Sequence, residues 1–241
     1  MRKTVIFSFT IIGLLFYIIH ACTNSNNKAI KRNERKKVIV DTISEKKLMD
    51  SAFSSTIKIG DQEWMTHDLK VTEFLNGDPI KRSYSKRDWR ALNKQKKPCY
   101  RIINGNYFYN GYALIDKRGL TPETFKIPSS SDWDILQNFL GGIIPMSKTI
   151  ANYKWKQTYI NEAIEHIGEN TIGFNGIATG CILNTGVYNR GSCSFWWTNP
   201  KYHSNTSKSL KVFSIGFCSI EYQEVDVIDP EFGSCIRCIK K

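Results

Sequence analysis

The stretch IPSSSDWDILQNFLGG, residues 127–142, constrains the fold of this 241-residue chain more than any other. Pro128 ends an extended approach. Ser129 stands three residues before Asp132, the spacing of a capping box. In that arrangement the hydroxyl accepts the backbone N–H of the third helical residue, and the carboxylate reaches back to the cap residue. Asp132 and Asp134 in the first turn also suit the positive end of the helix dipole. Trp133, Leu136 and Leu140 then share one face, which Ile135 and Phe139 widen, and Gly141-Gly142 supplies the stop. The pattern predicts a structural helix with Trp133 as its core anchor. Ser129, a nucleophile at first sight, becomes the cap.

Two segments precede the fold. In residues 1–21 a basic start (Arg2, Lys3) leads into the 16-residue apolar run Thr4–Ile19, and small Ala21 stands directly before Cys22. This resembles a bacterial lipoprotein signal peptide, which makes Cys22 the lipidated first residue of the mature chain. A retained anchor helix is the alternative, for which the apolar run is short. Either reading places the rest outside the cytoplasm, and the lipoprotein reading anchors it in the bacterial cell envelope, at the outer membrane, facing the periplasm or the surface. Residues 22–52 read as a tether without aromatics, with eight Lys/Arg from Lys28 to Lys47 against Glu34, Asp41 and Glu45. Such a segment buries too little apolar surface to offset its chain entropy. It serves as a solvated spacer or lies along anionic head groups. Of the formal charge of +12, the signal carries +2 and the tether, with Asp50 counted, +4, which leaves +6 for the folded part. That is no footprint for nucleic acid.

The folded part, residues 53–241, reads as α+β, with helices in the first half and strands dominating the second. Short strands flank Gly60-Asp61, and FLNGDPI has the chemistry of a tight turn. Residues 81–97 are helix-permissive and very basic, a surface segment. An NGN turn joins two aromatic strand-like pieces around residue 105, and a second helix-permissive run lies near 159–168. The remainder is glycine-punctuated and β-rich, with a turn at DVIDPEFG.

Catalytic chemistry finds little support. The exported histidines are His67, His166 and His203, and none stands in a recognisable nucleophile arrangement. Cys235 and Cys238 have the CxxC spacing of zinc sites, but CIRCIKK alternates like a strand, which points the two sulfurs to opposite faces. Six exported cysteines in an oxidising compartment favour disulfides. The expected set is Cys218 with Cys235 across a hairpin, Cys181 with Cys193 around a loop, and Cys99 with Cys238 as a long-range staple. The aromatic stretch FWWTNPKYH offers a ligand platform: one of the adjacent Trp196 and Trp197 is expected to face outward, with Tyr188, Tyr202 and Asn199 beside it. No catalytic residue, metal ligand or cofactor is expected.

Taken in order, IGDQEWMTHDLKV, FLNGDPI, YFYNGYAL, GLTPETFKIPSSSDWDIL, GFNGIATG, GVYNRGSCSFWWT and the closing GSCIRCIKK resemble the Fibrobacter succinogenes major paralogous domain family over about residues 57–241. That family typically reads G-x-Q-x-W-M-x-x-N-L, P-x-G-W-x-V-P-S-x-x-E-W, F-W-S and S-V-R-C. This chain carries Asp68 for the Asn, Phe125 for the Trp, Asp132 for the Glu and Trp197 for the Ser. Through its helix signature the family is similar to the C-type lectin-like superfold. The resemblance implies two helices packed on twisted antiparallel sheets with long loops, here stabilised by disulfides. The calcium-binding sugar motifs of true C-type lectins are absent. The expectation is a membrane-anchored, non-catalytic module that binds a glycan or a protein. Alternatives are an oxidase-like enzyme related to the formylglycine-generating enzymes, using the late cysteines, and a structural envelope subunit.

Overall fold

The computed structural model describes Lys31 and residues 53–152, 154–158, 163–183, 186–199, 210–216, 224–227 and 229–241. Cys22, Tyr202 and Cys218 fall outside these residues, as do the expected signal segment and nearly all of the tether. Among the described residues no helix is long and apolar enough to cross a membrane.

The elements below belong to one unit, Ala52–Lys241. The first half contains β1 (Thr56–Ile59), β2 (Gln62–Met65), β3 (Lys81–Ser83), α1 (Lys86–Lys94), β4 (Cys99–Ile103), β5 (Asn106–Asn110), α2 (Gly111–Leu114), β6 (Phe125–Lys126), α3 (Ser130–Phe139) and α4 (Ile143–Ile150). The described elements of the second half are all strands: β7 (Lys154–Thr158), β8 (Ala163–Ile167), β9 (Cys181–Leu183), β10 (Gly186–Tyr188), β11 (Cys193–Thr198), β12 (Leu210–Gly216), β13 (Glu224–Val227), β14 (Gly233–Ser234) and β15 (Ile239–Lys240). They assemble as a four-stranded sheet β1-β2-β15-β6, a six-stranded sheet β10-β9-β14-β5-β4-β3, a three-stranded sheet β11-β12-β13 and the hairpin β7-β8. The class is α+β, as expected. The larger sheet is mixed, because β3 runs parallel to β4 while its other pairs are antiparallel.

Local chemistry explains several joints. Asn104 (φ 50°) and Gly105 (φ 77°) form the two-residue loop between Ile103 and Asn106, which pair with each other. Positive φ at both positions is what a twist-matched two-residue hairpin requires, and Asn-Gly supplies it. The capping box of α3 is complete. The Ser129 backbone N–H donates to Asp132 Oδ2 at 2.8 Å, and the Asp132 backbone N–H donates to Ser129 Oγ at 3.3 Å. Chain closure comes from β15, whose Ile239 pairs with Trp64 of β2 on one side and Lys126 of β6 on the other.

Trp133 is the hub of the core, as its helical position predicts. Its ring lies 4.6 Å from Trp64, 5.6 Å from Trp196 and 4.3 Å from Phe213, the last nearly parallel. Phe174 meets Trp196 edge-on at 6.0 Å. Offset and edge-on pairs of this kind add about 0.5–1.5 kcal/mol each beyond the area they bury.

Four expectations are corrected. The described part of the run near 159–168 is not helical: β8 occupies Ala163–Ile167 and pairs with β7. Helix-permissive residues have only a weak intrinsic preference, which strand pairing overrides. Four helices, not two, occur among the described residues. The presumed turn at 226–227 is strand, with β13 paired to β12, so no hairpin centred there brings Cys218 to Cys235. The expected bridges are also not formed: Cys99, Cys181, Cys235 and Cys238 are free, buried thiols. Cys193 is disulfide-bonded.

Candidate functional site

The expected aromatic platform is core instead. All six residues of β11 are buried, and Trp196 and Trp197 are both fully covered. Adjacent residues of a strand point to opposite faces. That alternation places one outside only if one face meets solvent, and here both faces are packed. Each indole N–H has an internal acceptor: Trp196 Nε1 donates to Asp68 Oδ1 at 2.8 Å, and Trp197 Nε1 to the Tyr109 carbonyl at 2.8 Å. Asn199 is half-buried, and its backbone N–H donates to the Pro128 carbonyl at 2.8 Å. Tyr188 alone of the described candidates is exposed, at 39%.

The late cysteines flank a buried ion pair. Arg237 and Asp68 are 1% and 5% exposed. Arg237 Nε and Nη2 both lie 2.8 Å from Asp68 Oδ1. The guanidinium also donates to the Met65 and Phe174 carbonyls and stacks 4.4 Å from the Phe174 ring centroid. Cys235 Sγ donates to Thr179 Oγ1 at 3.6 Å. Burial, reinforced by the Asp68 charge, pushes the Cys235 thiol well up, and burial pushes Cys238 up as well. A thiol held protonated is a poor nucleophile and a poor metal ligand. Among the described residues no three His, Cys, Asp or Glu side chains converge on a metal position.

A cleft of about 530 Å³ opens beside this cluster, lined by Asn104, Asn106, Ile177, Ala178, Thr179, Arg190 and Gly191. Three pieces of chain build it. The Asn104-Gly105 turn of the β4–β5 hairpin forms one wall, and the segment entering β9 forms the floor. The turn after β10 brings Arg190 to the rim, where it is exposed. Gly180 (φ 72°) lets the floor and that turn approach, since a Cβ there would stand 2.1 Å from the Tyr188 carbonyl oxygen and 2.8 Å from the Arg190 nitrogen. Oriented to accept, the Asn104 amide oxygen lies 3.0 Å from Arg190 Nη1. No carboxylate pairs with Arg190 among the described residues. The lining thus offers two primary amides, a guanidinium fork and a small apolar floor.

Sequence reasoning reached the neighbourhood through Tyr188 but missed the site. The signals present were two asparagine-glycine turn motifs, Asn104-Gly105 and Asn189-Arg190-Gly191. Asn189 shares the positive φ of Asn104, at 56°. Each reads locally as punctuation, and only the sheet order places the two turns beside one cleft.

No curated protein and no solved structure matches the chain. The Fibrobacter succinogenes major domain model matches residues 57–240, which covers both turns of the cleft, the capped helix and the Asp68–Arg237 pair. The chain belongs to the Fibrobacter succinogenes major domain family.

Proposed function

We propose that this protein is a lipid-anchored envelope protein whose C-type lectin-like domain binds a glycan, without catalysing a reaction, in the cleft between Asn104 and Arg190. The observation that carries the reading is the cleft lining. Primary amides and a guanidinium that has no carboxylate partner among the described residues present the paired donors and acceptors that sugar hydroxyls and sugar carboxylates need. A cleft of about 530 Å³ falls in the range of small-ligand sites, which is about 300–1,000 Å³. Ile177 and Ala178 add apolar side chains to the lining, which suit the C–H face of a sugar ring.

A glycan array probed with the full chain tests this. Wild type should retain a set of related saccharides, and Arg190→Ala should lose at least about tenfold in affinity, the size expected for a charge-assisted hydrogen bond. An empty array would overturn the glycan reading. An array signal unchanged by Arg190→Ala would move the site elsewhere, and a protein recovered from envelope extract that saccharides do not displace would make the ligand a protein.

A further inference from the structure

Residues 81–97 carry eight Lys/Arg against one acid, Asp88. The rest of residues 53–241 carries sixteen Lys/Arg against seventeen Asp/Glu, so the positive balance of the whole domain sits in this one segment. The structure gathers it on a surface. Helix α1 turns Trp89 and Asn93 inward, and Trp89 Nε1 donates to the Glu231 carbonyl at 3.0 Å. Lys86, Arg87, Arg90 and Lys94 point outward and are exposed, with exposed Lys81 and Arg82 just before them.

This arrangement works against the helix itself. Lys86 and Arg90, and Arg90 and Lys94, are like charges four residues apart, the unfavourable spacing. Lys86 and Arg87 also occupy the first turn, where the dipole favours acids. The single acid of the segment, Asp88, is turned to the start of the helix. Asp88 Oδ2 accepts the Tyr84 backbone N–H at 3.1 Å, and the Asp88 backbone N–H donates to the Ser85 cap at 3.1 Å. Beside the helix Tyr84 stands 74% exposed, with the Arg82 guanidinium 4.7 Å over its ring. An exposed tyrosine amid cations is the composition of a membrane interface.

The surface also lies apart from the cleft. The α1 segment ends at Lys97, whose carbonyl accepts from Asn110 Nδ2 at 2.9 Å, at the open end of the β4–β5 hairpin. Asn104 of the cleft is at the closed end, about 17 Å away along five strand residues.

We propose that the α1 face, with Arg82 and Tyr84, docks on anionic lipid head groups. The docking rests on the envelope-anchor reading for its membrane, but not on the glycan reading. Positive charge near an anionic leaflet is attracted within a Debye length, so the contact is salt-sensitive.

The test uses the full chain with phosphatidylcholine vesicles and with vesicles that also contain phosphatidylglycerol. Amine labelling is read by peptide mass spectrometry at Lys86, Lys94, Lys96 and Lys97, with exposed Lys117 as reference. Labelling at those four should be at least about fivefold slower on the anionic vesicles and should recover in high salt. The basic tether does not confuse the readout, because the four lysines are read individually. A variant carrying Arg87→Glu and Lys94→Glu should abolish the protection of Lys86, Lys96 and Lys97. Equal rates on the two vesicle types overturn the proposal. So does protection by a soluble acidic polysaccharide on neutral vesicles with none from phosphatidylglycerol. A chain that washes off neutral vesicles refutes the anchor alone, and comparing the two compositions still decides the docking.

Discussion

Asp68 shows how one side chain fixes the centre of this domain. Its Oδ1 takes bonds from Arg237 Nε, Arg237 Nη2 and Trp196 Nε1, each at 2.8 Å, so one oxygen joins the segment after β2, β11 and the C-terminal segment. Removing one partner of a buried pair strands the other charge, at a cost of about 3–5 kcal/mol. Asp68→Ala should therefore lower unfolding free energy by about that amount in urea titration. Asp68→Asn keeps the accepting oxygen and matches the residue the family pattern carries there, so it should lose less than half as much. Equal losses would mean that the negative charge, not the hydrogen-bond geometry, holds Arg237. The sequence flagged Asp68 only as a departure from the family pattern. Its partner stands 169 residues away, a separation across which no local pattern speaks. Trp196 and Trp197 were misread for a related reason. Period-two alternation reports two faces, but it does not report that both are covered.

Elements with their own local chemistry were the legible part. The α3 boundaries, the Asn104-Gly105 hairpin and the Gly60-Asp61 turn follow from residues within a few positions of one another, whatever packs on them. The hairpin β7–β8 was not legible, because its preference is weak and its partner decides it. The capping box gives a direct check at this scale. Burial by itself would raise the Asp132 carboxyl. Hydrogen bonds from Lys126 Nζ at 2.9 Å and from the Ser129 hydroxyl at 2.6 Å outweigh that and hold it below the usual aspartate value. A lowered folded value means stabilisation that is full above the unfolded value, near pH ~4, and lost as pH falls through the folded one. Ser129→Ala should thus cost about 1 kcal/mol at pH 7. The gap to wild type should narrow at pH 3, as the carboxylate that Ser129 supports becomes protonated. A gap that stays constant or widens in acid would remove Asp132 from the account of this cap.

At the scale of the whole molecule, closure is achieved by packing and by β15 rather than by the expected staples. Cys99 and Cys181 are buried in the six-stranded sheet, and Cys235 and Cys238 lie in the fully buried run between β14 and β15. Burial pushes the Cys99 and Cys181 thiols up to about 12, and Cys235 and Cys238 rise as well. With a value near 12, roughly one thiol in ten thousand is ionised at pH 8, and the thiolate is the form that attacks an oxidant or a disulfide. An oxidising compartment would favour bridges among the six cysteines that follow Cys22, but exchange needs access as well as ionisation. The fold removes both at these four positions. A disulfide reagent added to the native chain at pH 8 should therefore leave Cys99, Cys181, Cys235 and Cys238 unmodified over hours. The same reagent in concentrated urea should modify all four, as located by peptide mapping under non-reducing conditions. If mapping instead recovered Cys99 joined to Cys238, or Cys181 joined to Cys193, staples would carry the closure assigned here to β15 and the aromatic core. Rapid native modification at Cys235 or Cys238 would show an opening onto the Asp68–Arg237 cluster and would return the late cysteines to chemistry.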